Sequence, residues 1–378
     1  MHPASGNAAK KLCIYWLFPV FYLGIIKQFF VKSHEMTLSD PRFLSMSCWL
    51  QQLFGKPLQA KLISGDASFR RYFRLNVDGC DYIVTDSPPN LLDNKPFIAL
   101  ARAYHQAGIR VPKVLEFNEE AGFILQQDLG DNLLLPELTE TNVSDWYLKA
   151  LAILPDIAAV RESELGPLPD YDAAFVEREL AIFSEWLLDK HWQVSLTAAE
   201  HTMLAESFAI LTASALVQPQ VGMHRDFHSR NLMLKEGKLW VIDFQDAVLG
   251  PVTYDAVSLL RDCYIRWPDA IVEPLLKAFF EQCRELGLVG KDVDFATFSR
   301  WFDLMGVQRH LKAAGIFARL HHRDGKSGYL KDIPLTLGYV ADICERYPQL
   351  QALSSWVRQR LLPLTQQQSP QAEPQEHK

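Results

Sequence analysis

Two short stretches of the chain hold residue types that could do chemistry together. The loop His224-Arg225-Asp226-Phe227-His228-Ser229-Arg230-Asn231 carries an aspartate and an asparagine, and the apolar run Val241-Ile242 closes on Asp243-Phe244. These groups fit phosphoryl transfer. Asp226 can accept a hydrogen bond from an attacking hydroxyl and take its proton late. Asn231 and Asp243 offer oxygen ligands to the hard Mg²⁺ that accompanies a triphosphate. Such a reaction asks the protein mainly for positioning and charge neutralisation. The order of residues supplies the positioning. Residues 231–235 read as an outgoing strand, Glu236-Gly237-Lys238 as its turn, and 239–242 as the return that sets Asp243 beside Asn231. Asp246 could be a further metal-side group or could cap the next turn. Asp255 is expected to open a helix and brace the loop from behind.

The elements around these segments change character along the chain. Trp49, Leu50, Leu53 and Phe54 have helical spacing; 58–63, 72–75 and 82–85 read as strands, with Asp78-Gly79 as a turn between the last two. Pro96 opens an amphipathic helix through Phe97, Leu100, Ala101 and Tyr104 that stops at Gly108. Residues 114–117 and 123–126 supply two more strands. After Gln127-Asp128-Leu129-Gly130 most of the chain reads as helix: 145–159, 173–188, 198–217, 255–265, 273–286, 295–320 and 335–347. The loop Gly65-Asp66-Ala67-Ser68 lies between two predicted strands, where a glycine with small neighbours lets backbone N–H groups approach phosphates. Gln126, Gln127 and Asp128 stand where the two parts join, at a hinge whose exposed backbone could meet an adenine ring.

Composition limits the alternatives. A chain of 378 residues has room for two lobes, and 48% hydrophobic residues describe a globular protein. A net charge of −7 argues against a nucleic-acid partner. The six cysteines, Cys13, Cys48, Cys80, Cys263, Cys283 and Cys344, form no metal or redox spacing and are expected to be reduced and mostly buried. An apolar run at 12–26 follows Lys10-Lys11, contains Pro19 and precedes Lys27. It is expected to belong to an upstream extension, residues 1–46, outside the working enzyme, with a cytoplasm-facing anchor as the other reading. A cytoplasmic location follows from ATP as substrate, with no stable membrane association. Residues 365–378, rich in Gln, Pro and Glu, are expected to form a disordered tail.

Several segments together resemble the aminoglycoside phosphotransferase (APH) superfamily of kinase-like small-molecule kinases. They are Gly65-Asp66-Ala67-Ser68-Phe69-Arg70-Arg71-Tyr72-Phe73-Arg74, Asp128-Leu129-Gly130, the 224–231 loop, and Ile242-Asp243-Phe244-Gln245-Asp246-Ala247. Residues 255–264, Gln308-Arg309-His310-Leu311-Lys312 and Gly315-Ile316-Phe317-Ala318-Arg319-Leu320 add to them, and the similarity spans about 47–362. The resemblance implies an α+β, bilobal protein-kinase-like fold. Its small N-lobe (47–127) would hold a five-stranded antiparallel sheet plus a helix, and its larger, mainly helical C-lobe (128–364) the catalytic loop and sugar site. Within the superfamily the chain is most similar to the anomeric amino-sugar kinases of Gram-negative cell-wall recycling. That implies transfer of the ATP γ-phosphate to the C1 hydroxyl of N-acetylmuramate and/or N-acetylglucosamine, giving the α-1-phosphate. Another APH-type kinase acting on an aminoglycoside, choline or homoserine, and a non-catalytic pseudokinase, stand as alternatives.

One departure from the superfamily pattern is plain. The third strand usually donates a Lys to the phosphates, paired with a Glu on the next helix, yet 82–86 contains no Lys and 95–106 no Glu. Arg71 is the replacement cation this reading offers, against a solvated strand arginine. Sugar recognition calls for hydrogen-bonding and charged side chains. His228, Arg230, Asp262, Tyr264, Arg309 and His310 lie on segments expected to face the loop.

Overall fold

The computed structural model describes residues 40–63 and 69–367 of the chain. The apolar run at 12–26, the loop Gly65-Asp66-Ala67-Ser68 and residues 368–378 lie outside the described residues. Two compact units meet between Pro57 and Leu58. The first presents helix α1 (Pro41–Phe54), which begins ahead of position 47, where the sequence reading opens the N-lobe. Asp40 caps it by accepting from the N–H groups of Arg42 and Phe43, and Gly55 ends it in the left-handed region.

The second unit begins with a sheet of β1 (Lys61–Leu62), β2 (Arg71–Val77) and β3 (Cys80–Asp86). Helix α2 (Lys95–Gln106) then leads to β4 (Val114–Asn118) and β5 (Phe123–Gln127). All five strands are antiparallel, as the sequence reading expects, and the structure sets them in the order β1-β2-β3-β5-β4. Asp78 and Gly79 both take positive φ, so the β2–β3 turn has the twist that a two-residue hairpin needs. The strand expected at 58–63 contracts to two residues.

Helices dominate the rest: α3 (Leu134–Glu137), α4 (Val143–Leu151) and α5 (Leu154–Ala159) come first. The single helix expected at 145–159 is therefore two, because Pro155 cannot continue the first helix's ladder but suits the opening turn of the second. A small pair, β6 (Glu162–Ser163) and β7 (Gly166–Pro167), precedes α6 (Ala173–Ile182), which runs on in π-helical form over Phe183–His191. Helix α7 (Ala198–Leu216) opens on a reciprocal Thr197/Glu200 cap. Four strands follow: β8 (Gln220–Met223), β9 (Leu232–Lys235), β10 (Lys238–Val241) and β11 (Val248–Pro251). β9 pairs with β10 and β8 with β11, so the outer pair brackets the β9–β10 hairpin.

The chain closes with α8 (Tyr254–Leu260), α9 (Asp269–Glu285), α10 (Phe295–Asp324), α11 (Ile333–Glu345), α12 (Gln351–Trp356) and α13 (Leu362–Gln367). Helix α8 stops short of the expected 265, since Asp262 turns its carboxylate onto the N–H of Tyr264 and onto Ser229. None of the described helices is long and apolar enough to cross a membrane. Cys263, Cys283 and Cys344 are buried thiols, whereas Cys48 and Cys80 are exposed ones.

Helix α10 is the axis of the helical lobe, buried along most of its 30 residues. It can lie against the α6–π-helix junction because position 315 has no side chain. A Cβ at Gly315 would meet the carbonyl oxygen of Ile182 at 2.5 Å and the backbone nitrogen of Phe183 at 2.7 Å. Backbone atoms cannot swing aside, so Gly315→Ala is expected to destabilise the fold by roughly 1–3 kcal/mol despite alanine's better helix propensity. A lower midpoint in urea at unchanged slope is the expected result; an unchanged or higher midpoint contradicts this packing.

Candidate active site

The catalytic loop is tied down from three directions. Asp255, at the head of α8, accepts from the backbone N–H of His224 (2.7 Å) and of Arg225 (3.0 Å), which is the bracing expected of it. His224, fully buried, joins the loop to the hairpin. Its Nε2 faces the Ile242 carbonyl at 3.0 Å, and its Nδ1 accepts from the Asp226 N–H at 3.2 Å. Burial lowers its pKa to about 4, so the ring is neutral and Nδ1 stays free to accept. Asp262, also fully buried, accepts from the Ser229 N–H at 3.0 Å and from its hydroxyl.

Within this frame the hairpin turns at Glu236 and Gly237, both with positive φ, and returns in the expected register, Val241 opposite Leu232. Asn231 then lies between the two acids. Its Nδ2 donates to the Asp226 carbonyl at 3.0 Å and faces Asp243 Oδ2 at 3.4 Å, while Gln245 Nε2 donates to Asp243 Oδ1 at 2.7 Å. Asn231 Oδ1 and the Asp243 carboxylate are the kind of oxygen donors a hard cation takes, and this donor set fits Mg²⁺. Asp243 itself sits at φ 66°, a left-handed conformation held for a side chain that must point somewhere specific.

The charge around Asp226 comes in part from Lys312 and Arg225, to which the sequence reading gave no role. Burial would raise the pKa of the Asp226 carboxyl, but Lys312, His228, Arg309 and Arg225 together hold it well below the usual carboxylate range. Lys312 reaches from the buried face of α10, donating to Glu179 (2.7 Å) and to the Tyr254 hydroxyl (2.9 Å). Glu179 also accepts from Arg225 (2.9 Å), Tyr171 (2.7 Å) and Gln308 (3.0 Å). Burial works against its ionised form, yet Lys312 and Arg225 bring its pKa down to about 2. Helical periodicity offered no sign of Glu179, because a lone acid on a helix ordinarily faces water.

Of the residues expected to recognise an acceptor, the structure brings four together. His228 meets Tyr264 edge-on at 5.3 Å, and the Arg230 guanidinium lies over the Tyr264 ring at 3.6 Å. Arg309, only 4% exposed, acts electrostatically on Asp226 from α10. Its Nε and Nη1 and the Nδ1 of His228 are buried polar atoms without a hydrogen-bond partner among the described residues. The other two residues stand elsewhere. Asp262 is behind the loop with its oxygens committed to Ser229 and Tyr264. His310 stacks on Tyr339 at 4.4 Å, and its Nδ1 faces the Gly306 carbonyl at 2.7 Å. Neighbouring helix positions are about 100° apart, so Arg309 and His310 cannot look at one site.

On the nucleotide side, Arg71 is paired across the β2–β3 register with the fully buried Asp86, Nε to Oδ2 at 3.0 Å. A guanidinium engaged with a buried carboxylate is ill placed to replace the strand-three Lys. Arg70 lies 5.6 Å from the ring centroid of Phe97, and Phe97 stacks on Phe244 at 5.1 Å. At the hinge, Asp128 receives Arg74 and its carbonyl receives Lys235 (2.6 Å), while the Gln127 N–H donates to the Lys113 carbonyl (2.9 Å). Gln126 is buried, with its side-chain oxygen unpartnered among the described residues.

Comparison with known proteins meets this geometry from outside. The chain is 41% identical over 325 residues to an N-acetylmuramate/N-acetylglucosamine kinase of Pseudomonas aeruginosa (strain PAO1), covering 83% of this chain and 95% of the relative. It is 38% identical to the protein of the same name in Neisseria meningitidis serogroup B, covering 82% and 94%. Among solved structures, ADP-bound aminoglycoside phosphotransferase APH(2'')-Ib superposes with a TM-score of 0.54 at 15% identity, over 79% of this chain and 98% of that one, a likeness of fold. The family model that matches residues 59–287 is that of the phosphotransferase enzyme family (APH), and its span takes in the five-stranded sheet, the 224–231 loop and Asp243 alike. By that match and by these relatives, the chain belongs to the phosphotransferase enzyme family.

Proposed function

We propose that the protein is an ATP- and Mg²⁺-dependent kinase that phosphorylates the anomeric C1 hydroxyl of N-acetylmuramate and/or N-acetylglucosamine. The observation that carries this reading is that the Asn231 amide donates to the Asp226 backbone carbonyl and faces the Asp243 carboxylate, while Arg309, with donor atoms unpartnered among the described residues, acts on Asp226. Asn231 Oδ1 and Asp243 would hold Mg²⁺, which supplies charge neutralisation on the phosphates when bound. The covering loop Gly65-Asp66-Ala67-Ser68 and the hinge at Gln126, Gln127 and Asp128 would receive the nucleotide. His228, Arg230, Tyr264 and Arg309 would receive the sugar. A guanidinium and an imidazole suit a sugar bearing a carboxylate better than a polycation, which needs an acidic pocket.

Asp226 fits the acceptor step as a weak base. The neighbouring cations Lys312, Arg309 and Arg225 keep it ionised, so it can orient the hydroxyl at any physiological pH. In a loose transition state the proton leaves late, and an anomeric hydroxyl is more acidic than an ordinary sugar hydroxyl, so strong basicity is not required.

Three outcomes test this mechanism. In a coupled ADP-release assay, N-acetylmuramate or N-acetylglucosamine should support turnover and lose its reducing end, whereas glucose and kanamycin should not. Kanamycin as the sole acceptor would overturn the substrate assignment, and no acceptor at all would favour a non-catalytic role. Asp226→Asn should lower kcat by roughly 10²–10⁴-fold while nucleotide affinity, read by calorimetry, is retained. Lys312→Met removes a cation that lowers the Asp226 pKa, so Asp226 should protonate at higher pH. The acid limb of kcat/KM should therefore move upward in pH, with Glu179 still held by Arg225. A profile superimposable on that of the unsubstituted enzyme would show that Lys312 has no electrostatic role in the reaction.

A further inference from the structure

A second group of metal-ligating side chains lies outside the phosphotransfer site. His191 ends the π-helical turn Phe183–His191, and His321 and His322 occupy the last turn of α10. One ring nitrogen from each lies within 4.8 Å of the other two. His191 Nδ1 and His322 Nε2 are 3.0 Å apart, and all three rings contact one another, with centroid separations of 5.7, 5.2 and 4.7 Å.

We infer that His191, His321 and His322 form a binding site for a borderline divalent transition metal of the Zn²⁺ class, with water completing a four-coordinate shell. Three features of the geometry support it. Two imidazole nitrogens bound to one tetrahedral ion at 2.0–2.1 Å are roughly 3.3 Å apart, close to the spacing His191 and His322 already have. The widest pair must approach by an ångström or so for all three nitrogens to bind one ion. His321 is already oriented from behind. Its Nδ1 lies 2.9 Å from Ser327 Oγ, which leaves Nε2 to face an ion, the arrangement that outer partners impose on ligating histidines. Finally, both segments offer their C-terminal ends, where helix carbonyls favour a cation.

The ligand set also selects the metal. Imidazoles without a carboxylate suit Zn²⁺, Ni²⁺, Co²⁺ or Cu²⁺ and not Mg²⁺ or Ca²⁺, so the cation that serves phosphoryl transfer does not compete here. The flanking charges are mixed: Lys190 with Glu185 on the π-helical turn, and Arg323 paired with Asp324 on α10. An ion bound there would tie the π-helical turn to the end of α10, two segments that are not neighbours in sequence.

The test uses the full-length, tag-free, metal-stripped protein in excess Mg²⁺, titrated with Co²⁺ and followed by visible absorption. The expected result is one Co²⁺ per chain with the intense bands of four-coordinate cobalt, displaced by Zn²⁺. His191→Ala on one segment and the double variant His321→Ala/His322→Ala on the other should each weaken binding by more than the roughly 10–100-fold that loss of an outer partner costs. Zn²⁺ should raise the melting temperature of the unsubstituted chain and not of the variants, and turnover with Mg²⁺ alone should be the same in all of them. Absence of saturable binding, a six-coordinate spectrum, or Co²⁺ bound equally by the variants would each overturn the assignment and leave the three rings as a surface contact only.

Discussion

A single buried carboxylate organises the catalytic half of the molecule. Glu179 accepts from Lys312, Arg225, Tyr171 and Gln308, so the acceptor positions of both its oxygens are used, and the donors come from α10, the catalytic loop and the segment before α6. Removing a charge from water costs several kcal/mol, which only a full set of partners offsets. The consequence reaches beyond Glu179. Lys312 and Arg225 are both held near Asp226, and without Glu179 the two cations would have Asp226 as their main counter-charge. The partition matters chemically: Glu179 takes the hydrogen bonds, and Asp226 feels the field while its oxygens stay available to a substrate.

Two strained residues lie at the ends of this arrangement. Arg225 adopts φ 77° and Asp243 φ 66°, conformations that cost about 1–3 kcal/mol each for residues with a side chain. The Asp255 carboxylate holds the first by accepting from successive backbone N–H groups, a role its own burial makes costly, since burial pushes its pKa up to about 7. His224 carries the constraint across to the hairpin and must be neutral to do so. The loop and the metal-side strand are thus one rigid piece, and the 3.4 Å approach of Asn231 to Asp243 is its result.

How much of this could be read from the sequence follows from the distances along the chain over which the determinants act. The loop, the hairpin and the Asp255 brace lie within about thirty residues and are set by local turn chemistry, so residue type and spacing reveal them. The five-stranded sheet is legible for the same reason, through Asp78-Gly79 and the alternating strands. Glu179 was hidden, because its partner Gln308 lies 129 positions away, Lys312 farther still, and nothing local marks an acid as buried. The break at Pro155 and the π-helical turn escaped a period of 3.6, which cannot distinguish one helix from two or a wider turn from a regular one. Arg309 and His310 were read together, though their separation depends on the rotation of α10 about its axis.

The usual strand-three Lys and its Glu partner are absent, and α2 meets the Asp243 segment through an aromatic stack. Phe97 of α2 lies on Phe244 with ring planes only 13° apart, Tyr104 adds a second contact to Phe244 at 5.5 Å, and Arg70 covers the outer face of Phe97. Phe244 directly follows Asp243, so α2 and the metal-side aspartate are joined by packed rings. Such a stack contributes about 0.5–1.5 kcal/mol beyond its buried area and carries no desolvated charge. It therefore depends little on pH and salt. Arg71, drawn off by Asp86, is left to neutralise that buried acid within the sheet, and Arg70 is the cation that remains beside the stack. Contact between α2 and the Asp243 segment is thus made by packed rings, whereas the charged side chains Lys312, Arg309 and Arg225 gather around Asp226.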